Sequence, residues 1–553
     1  MQAINVITRS LAMLLMIPLA CAAGQVAPAS SSASAAGALP HSQDAPAAYL
    51  SVSQLQQHMH GGSLSALDLT RQFIWRIAHF DHAGPRVNSV IELNPDALPQ
   101  ARRRDQDRAD GKGGILLGIP VLLKDNIDTG DQMLTTAGSQ ALSAAPAPQD
   151  ASIVARLRKA GAIVLGKTNL SEWANFRSTH ATSGWSGRGG LTHNPFVLDR
   201  NACGSSAGSG AAVAAGFTTL AIGTETDGSV ICPASMNGIV GIKPTLGLVS
   251  RTGIVPISHN QDTAGPMARS VADAAALLTV MAGSDAADKA TAEADQHATD
   301  YRKFLDTDGL KGKRIGVLRE YAGAEPNTDR VLDKAIAVMR KAGAVIVDPV
   351  KLPHVSDLSD DEFTVLLYDF KHDIKAYLAT RKNLKVHDLA DLIAFNKAHA
   401  DSEMPWFGQE LFLMAEKKGP ITDKAYTDAL QRSKRQAGPE GIDAALEAHH
   451  LDALLAPSWG PAFRTDLVLG DHILSGDPTV GGASQPAAVA GYPSITVPAG
   501  FVHGLPVGIV LMTRKWGEPT LISIAYGFEQ HNPVFKRPGF LATVPQPQPE
   551  PVE

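Results

Sequence analysis

The stretch 201–243 constrains this chain more than any other part of it. It reads NACGSSAGSGAAVAAGFTTLAIGTETDGSVICPASMNGIVGIK, with one turn of small residues around Ser205 and Ser206 and a second at 227–229. Glycine lets a backbone turn tightly and approach a ligand, so a serine in such a turn can present its hydroxyl and the neighbouring N–H groups. Two such turns in one stretch predict a polar site.

The same letters allow two other interpretations. Both turns could be ordinary surface turns around a helix of small residues, 207–215, that ends at Gly216. Residues 204–208, GSSAG, also fit the nucleophile elbow G-x-S-x-G with Ser206 at its centre. That motif requires an apolar strand in front of it, and FVLDRNAC is a poor strand, so the elbow is disfavoured.

A third segment separates these interpretations. Residues 118–129, GIPVLLKDNIDT, contain an apolar strand that ends on Lys124. A lysine desolvated at the end of a strand has a lowered pKa, and its neutral amine is a base. Together, LLKDNIDT, CGSSAGSGAAVAAG and GTETDGSVICPASMNGIVGIKPT resemble the amidase signature family, whose enzymes hydrolyse amides with a Ser-cisSer-Lys triad.

The resemblance implies a role for each matched residue. It places the lysine of the triad at Lys124, the cis-serine at Ser205 and the acylating serine at Ser229, which is 24 positions after Ser205. It also places an oxyanion hole in the turn that contains the nucleophile, formed with the backbone of Thr226, Asp227 and Gly228. Ser206 either orients the cis-serine turn by hydrogen bonding or acts as the N-cap of the following helix.

The resemblance covers the chain from about residue 50 to about residue 530. It continues through GLVSRTGIVPISHNQDTAGPMARSVADAAALL, YPSITVPAGF and LPVGIVLM. Within the family it is closest to bacterial peptide amidases, which remove the C-terminal amide from peptides, because both have CGSS and TETDGS where GGSS and TDTGGS are more usual. Ile231 stands where many members have an arginine, which favours a neutral peptide or aryl amide over a substrate with a free carboxylate.

The predicted function is therefore that of a serine amidohydrolase, which releases ammonia through an acyl-enzyme on Ser229 and needs no cofactor. A broad amidase for aliphatic or aryl amides is one alternative. The glutamine-hydrolysing subunit of a tRNA-dependent amidotransferase is another, but it works in the cytosol. A non-catalytic binding protein on an amidase scaffold is disfavoured because all three triad positions are present. The histidines lack H-E-x-x-H spacing or a matching Cys/His set, so no metal site is predicted.

The N-terminus predicts export. Residues 1–23 have one arginine, a short apolar run and small residues before a cut after Ala23, which is typical of a signal peptide and too short for a membrane span. Acylation of Cys21 in a lipoprotein is the alternative. Residues 24–47 are predicted to be a flexible linker, 48–543 the amidase domain and 544–553 a disordered Pro-rich tail. The predicted location is periplasmic or secreted.

Composition and pattern predict the fold class. With 553 residues, 44% of them hydrophobic, the chain can bury a large core. Two units, 151–166 and 331–348, read as a helix, a glycine and a buried strand, and 494–497 with 507–512 read as a hairpin before a helix at 518–530. These units predict a single α/β domain, with a central mixed sheet covered by helices on both faces. A net charge of −6 gives no reason to expect nucleic acid, and we expect a monomer.

Two cysteines flank the predicted catalytic serines. Cys203 lies two residues before Ser205, and Cys232 lies three residues after Ser229. If the two serines exchange a proton, the cysteines could be close enough for a disulfide, which an oxidising compartment would permit. Two free, buried thiols that fill space near the site are the alternative.

Overall fold

The computed structural model describes residues 46–471 and 482–545, and all of these residues belong to one compact unit. The predicted signal peptide, nearly all of the predicted linker and most of the predicted tail lie outside this range. Among the described residues, no helix is both long enough and apolar enough to cross a membrane.

Thirteen strands are present in the described part of the chain. They are β1 (Val90–Leu93), β2 (Pro120–Lys124), β3 (Ile163–Thr168), β4 (Trp185–Ser186), β5 (Gly190–Leu191), β6 (Leu220–Glu225), β7 (Val240–Lys243), β8 (Thr263–Ala268), β9 (Arg314–Val317), β10 (Val345–Val347), β11 (Ala453–Pro457), β12 (Ser494–Val502) and β13 (Leu505–Met512).

The described α-helices, apart from short 3-10 and π segments, are α1 (Val52–His60), α2 (Ala66–Arg76), α3 (Ala97–Ala109), α4 (Ser152–Lys159), α5 (Ala207–Ala214), α6 (Ile231–Met236), α7 (Val271–Met281), α8 (Ala294–His297), α9 (Pro326–Lys341), α10 (Leu358–Thr380), α11 (Leu389–Ala398), α12 (Ala400–Glu403), α13 (Glu410–Glu416), α14 (Lys424–Ala437), α15 (Ala444–Ala448), α16 (Gln485–Ala490) and α17 (Glu518–His531).

Eleven of the strands form one mixed sheet, in the order β1-β3-β2-β6-β8-β7-β12-β13-β11-β9-β10. Strand β2 runs parallel to both β3 and β6, and β9 runs parallel to β10 and β11. The central strands from β6 to β13 pair antiparallel. Every residue of β2, β3, β6, β7 and β8 is buried, which requires cover on both faces of the sheet. The predicted fold class is confirmed.

The local predictions that led to this fold class are confirmed as well. Helix α4 leads into β3 through Gly161, whose φ of +83° is a left-handed conformation that favours glycine. Helix α9 leads to β10 in the same way, and β10 lies parallel to β9. Strands β12 and β13 form the predicted hairpin, and α17 follows them. The helical pattern predicted for 355–450 corresponds to α10–α15.

Candidate active site

The candidate site forms where strands β2 and β6 end side by side. The two strands are parallel, with Leu123 opposite Ile222, so their carboxyl ends lie at the same edge of the sheet. Lys124 is the last residue of β2, and β6 ends at Glu225, shortly before Ser229. The topology therefore brings the lysine of one motif to the serine turn of the other, although the motifs are far apart in sequence.

The Lys124 amine is fully buried and meets three oxygen atoms. Its Nζ is 2.7 Å from Ser205 Oγ, 3.1 Å from the Thr224 carbonyl oxygen and 2.9 Å from Thr224 Oγ1. Asn126 Nδ2 also donates to Thr224 Oγ1, over 3.0 Å. A neutral amine has two N–H donors and one lone pair. If the two Thr224 oxygens take the two N–H groups, the lone pair faces Ser205 and can accept its proton.

Burial sets the charge of this amine. It lowers the pKa of Lys124 to about 7, even though the carboxylates of Asp262 and Glu225 pull the pKa in the opposite direction. An ammonium loses its hydration when it leaves water, and here this loss outweighs the attraction of the two carboxylates. A large fraction of Lys124 is therefore neutral near pH 7, as a base must be.

Close backbone packing shapes the Ser205 turn. The peptide bond between Gly204 and Ser205 is cis. The Ser205 carbonyl accepts a hydrogen bond from the Ser171 backbone N–H over 3.0 Å. A side chain at Gly204 would place its Cβ 2.1 Å from Ser171 Oγ, so the position requires glycine. The sequence motifs do not point to Ser171, which comes from the loop after β3.

Ser206 connects the two turns. It stands at the N-cap of α5, but its hydroxyl makes no capping hydrogen bond. Its Oγ donates to the Thr224 carbonyl over 3.1 Å and accepts from Thr224 N–H over 3.2 Å, and its own N–H donates to the Ser229 carbonyl over 3.2 Å. These contacts favour the orienting role over the capping role. No strand of the described sheets directly precedes Ser206, as a nucleophile elbow would require.

The turn 226–229 presents a row of free backbone donors. Within the described ranges, no protein group accepts a hydrogen bond from the backbone N–H groups of these four residues. Glu225 holds the turn from the other side, since its Oε2 accepts from the N–H groups of Val230 and Ile231 over 2.6 and 2.9 Å. Buried N–H groups are nearly always paired in folded proteins. A free row of them in a buried turn is suited to bind a negatively charged oxygen.

The three serines of the site differ in their exposure. Ser205 and Ser206 are completely buried, whereas 7% of Ser229 is exposed. Ser229 is therefore the one of the three that a substrate can reach from solvent. This distribution favours Ser229 over Ser206 as the residue that meets a substrate.

Two carboxyl groups outside the motifs support the turn, and the first of them is that of Asp262. Thr226 Oγ1 donates to Asp262 Oδ1 over 2.6 Å, and Asp262 Oδ2 accepts from the N–H groups of Ile257 and Ser258. Burial raises the pKa of Asp262 to about 6. Sequence analysis missed this residue, although it lies within the segment that resembles the family, because an aspartate in a loop carries no spacing signal.

The Asp227 carboxyl is the least satisfied polar group of the site. Its Oδ1 is buried and has no hydrogen-bond partner among the described residues. Burial, reinforced by the nearby Glu362 carboxyl, raises the pKa of Asp227 well above its usual range. Glu362 itself accepts from Gln261 Nε2 and Gln485 Nε2, each over 2.7 Å. The Oδ1 of Asp227 is thus an acceptor that a substrate N–H could satisfy. The sequence motifs do not reveal Glu362, which belongs to α10.

Cys203 and Cys232 form a disulfide, with their Cα atoms 5.9 Å apart. Of the two alternatives left open by the sequence, the structure therefore has the bridge. The bond joins the segment before Ser205 to helix α6, which follows Ser229. It closes a loop with a sequence separation of 29 residues and ties the two serine turns together.

Removing this bridge should destabilise the protein. For a loop of this length, the chain-entropy model assigns the disulfide about 3–4 kcal/mol of the free energy of unfolding. We expect the double variant Cys203→Ser/Cys232→Ser to lose this amount in urea unfolding monitored by tryptophan fluorescence. Wild-type protein assayed in excess reductant is the matched control and should shift equally. Two reactive thiols in the denatured, unreduced mature protein would contradict the bridge.

Comparisons with known proteins agree with the fold and the motifs. The family model described as Amidase matches residues 68–522. The native peptide amidase of Stenotrophomonas maltophilia is 51% identical in sequence and superposes with a TM-score of 0.84, over 90% of this chain and 99% of that one. A probable amidase of Arabidopsis thaliana is 41% identical over 83% of this chain and 86% of its own length. A glutamyl-tRNA(Gln) amidotransferase subunit of Pseudomonas syringae pv. tomato is 33% identical, over 87% and 97%.

Proposed function

This chain belongs to the amidase signature family and is an amide hydrolase, and we propose that it removes the C-terminal amide from peptides through an acyl-enzyme on Ser229. The observation that carries this proposal is the juxtaposition of three features at one edge of the sheet. These are a buried lysine of lowered pKa, a serine hydroxyl 2.7 Å from its amine, and a turn of free N–H groups that contains the accessible Ser229.

The proposed reaction begins with a proton relay. Neutral Lys124 accepts the proton of Ser205, and Ser205 accepts the proton of Ser229. The Ser229 Oγ then forms a bond to the carbonyl carbon of the amide, and the carbonyl oxygen becomes negatively charged. When this intermediate collapses, the relay returns the proton to the leaving nitrogen and ammonia departs. Water attacks the resulting ester by the same relay, which releases the carboxylic acid and frees Ser229.

The free N–H groups of 226–229 are proposed to stabilise the charged oxygen of the intermediate. Preorganised donors in a site from which water is excluded cost no reorganisation during the reaction, and removing one such donor typically lowers the rate by about 10²–10³-fold. Glu225, which fixes the following N–H groups, keeps the turn in place during the reaction.

Charge near the nucleophile favours a carboxamide over a carboxylate. Asp227, Glu362 and Glu225 bring three carboxyl groups to this turn, and Ile231 supplies no positive charge. A substrate with a free carboxylate at the scissile end would meet acceptors and no cation on these residues. The amide nitrogen of a carboxamide can instead donate to the unpaired Oδ1 of Asp227. The likeness to the peptide amidase of Stenotrophomonas maltophilia supports a peptide as the acyl part.

Ammonia release by the purified protein, without partner chains, tests this proposal. The substrates are amidated dipeptides, with acetamide, an anilide and free glutamine as comparisons, and the Ser229→Ala variant measures the background. We expect kcat/KM for amidated dipeptides to exceed that for acetamide by at least about 100-fold, because remote binding energy contributes to the transition state. Equal rates for all amides would indicate a broad amidase, and activity only on glutamine would indicate the glutamine-hydrolysing part of an amidotransferase.

The pH dependence of kcat/KM should follow the charge of Lys124. The amine must be neutral to act as a base, so activity should be high above the pKa of about 7 and fall about tenfold per pH unit below it. Initial rates in a series of buffers at constant ionic strength measure this acid limb.

The Asp262→Asn variant provides a control for the assignment of the acid limb. The Asp262 carboxylate stabilises the charged form of Lys124, so its removal should lower the pKa of Lys124 and move the limb to lower pH. The amide oxygen of asparagine keeps an acceptor for Thr226. A limb that stayed in place would mean that a group other than Lys124 controls the rate.

Export to an oxidising compartment is the second part of the proposal. The Cys203–Cys232 bridge supports it, because disulfides persist in such compartments and are rare in the cytosol. Fractionation of expressing cells, followed by N-terminal sequencing, should find a periplasmic or secreted protein that begins after Ala23. A lipid attached to Cys21 would identify the anchored form instead.

A further inference from the structure

A second cluster of chemically active side chains lies outside the active site. It consists of His259, in the loop between β7 and β8, and His372 and Asp373, on α10. His259 Nδ1 is 2.9 Å from Asp373 Oδ2, and His372 Nδ1 is 2.9 Å from Asp373 Oδ1. The candidate ligand atoms of the three residues all lie within 4.8 Å of one another. Two imidazole nitrogens thus converge on one carboxylate.

This spacing suits a divalent transition metal. Zn²⁺ binds histidine nitrogen and carboxylate oxygen at about 2.0–2.2 Å, so two ligand atoms in a tetrahedral site are about 3.3 Å apart. The nitrogen–oxygen distances of 2.9 Å are within a few tenths of this value, so small side-chain movements are sufficient. The side chains of His259 and His372 are 43% and 53% exposed, which leaves a route for the ion and room for water as a fourth ligand.

The surrounding residues hold the cluster in position. The His259 backbone N–H donates to Asp373 Oδ2 over 2.7 Å. The buried Asp369 carboxyl lies 3.7 Å from His259 Nδ1 and accepts from Ser258 Oγ and Tyr426 Oη over 2.6 and 2.7 Å. Carboxylates in this second layer fix the orientation of metal-binding histidines in proteins. Arg251 donates to the His259 carbonyl, and its charge is neutralised by Asp288.

We propose that His259, His372 and Asp373 form a Zn²⁺ site that fastens the loop 257–262 to helix α10. The ion takes the place of the protons that now lie between the two imidazoles and the carboxylate. The same loop supports the active site, because the backbone N–H groups of Ile257 and Ser258 hold Asp262, which holds Thr226. Zinc at this site has a structural role and takes no part in the relay between Lys124 and the serines.

Zinc binding to the tag-free, EDTA-treated protein tests the proposal. Equilibrium dialysis with ZnCl₂ should find one saturable site per chain. The His372→Ala variant changes an exposed side chain and should weaken zinc binding by at least about tenfold, as metal-ligand contacts do. Thermal unfolding supplies a second readout, since zinc should raise the Tm of the wild type and leave that of His372→Ala unchanged.

His58→Ala is the matched control, because His58 is an exposed histidine with a second histidine, His60, two positions away. It should bind zinc with wild-type affinity. Asp373→Asn, which keeps the shape of the side chain but removes its charge, should weaken binding as His372→Ala does. The absence of a saturable site, or a site that His372→Ala leaves intact, would overturn the proposal.

Discussion

Replacing Ser229 with alanine should lower kcat/KM for amidated dipeptides by roughly 10⁴-fold or more. Loss of the nucleophile of a serine hydrolase removes covalent catalysis altogether and leaves only the contributions of binding and of the oxyanion donors. Ser229 is the exposed serine of the three and lies in the turn of free N–H groups, so its hydroxyl has no substitute nearby. Ammonia release, corrected for the contaminating activity of the host, measures the effect.

Ser206→Ala is the matched control for this variant. The Ser206 hydroxyl makes hydrogen bonds only to Thr224 among the described residues, so its loss should destabilise the turn and leave activity within about tenfold of wild type. Hydroxylamine trapping followed by mass spectrometry should detect an acyl group on wild-type Ser229 and none on Ser229→Ala. An inactive Ser206→Ala together with an active Ser229→Ala would establish Ser206 as the nucleophile.

Replacing Lys124 with methionine should lower kcat/KM by about 10³–10⁴-fold. Methionine fills nearly the same volume but has no proton acceptor of comparable basicity, so Ser205 loses its base, and general base catalysis contributes up to about 10⁴-fold. The acid limb near pH 7 should disappear from the remaining activity, because the group that titrates there is gone. Added methylamine should restore part of the rate when it occupies the space of the side chain.

Lys167→Met separates catalysis from stability. Lys167 is a second fully buried lysine, on the neighbouring strand β3, and its Nζ donates to the Ile127 carbonyl over 2.6 Å and to Thr135 Oγ1 over 2.8 Å. Its replacement should reduce the free energy of unfolding and leave kcat/KM for the folded fraction near the wild-type value. If both variants lost activity in proportion to folded protein, Lys124 would be a structural residue.

Much of the fold was predictable because its local signals agree. The helix, glycine and strand units at α4–β3 and α9–β10 follow from periodicity and from the left-handed turn that glycine favours. The hairpin of β12 and β13 and the helix α17 were predictable for the same reason. The order of strands in the sheet was not, since pairing depends on contacts between segments far apart in the chain.

The sequence by itself determined which residues could form the site. Lys124 at the end of an apolar strand, and Ser205 and Ser229 in turns of small residues, were identifiable because these turns require particular residue types and because three motifs occur in order. The tertiary structure decided how these residues meet. It placed the ends of β2 and β6 side by side, removed water from around Lys124 and so lowered its pKa to about 7.

The tertiary structure also decided between alternatives that the sequence left open. It joined Cys203 to Cys232 and directed the Ser206 hydroxyl to Thr224. It brought His259 to Asp373, which is 114 positions away. Each of these contacts depends on distance in space and on the direction of a side chain. Sequence spacing encodes such quantities only within one helix or strand, so between distant segments only the packed structure could supply them.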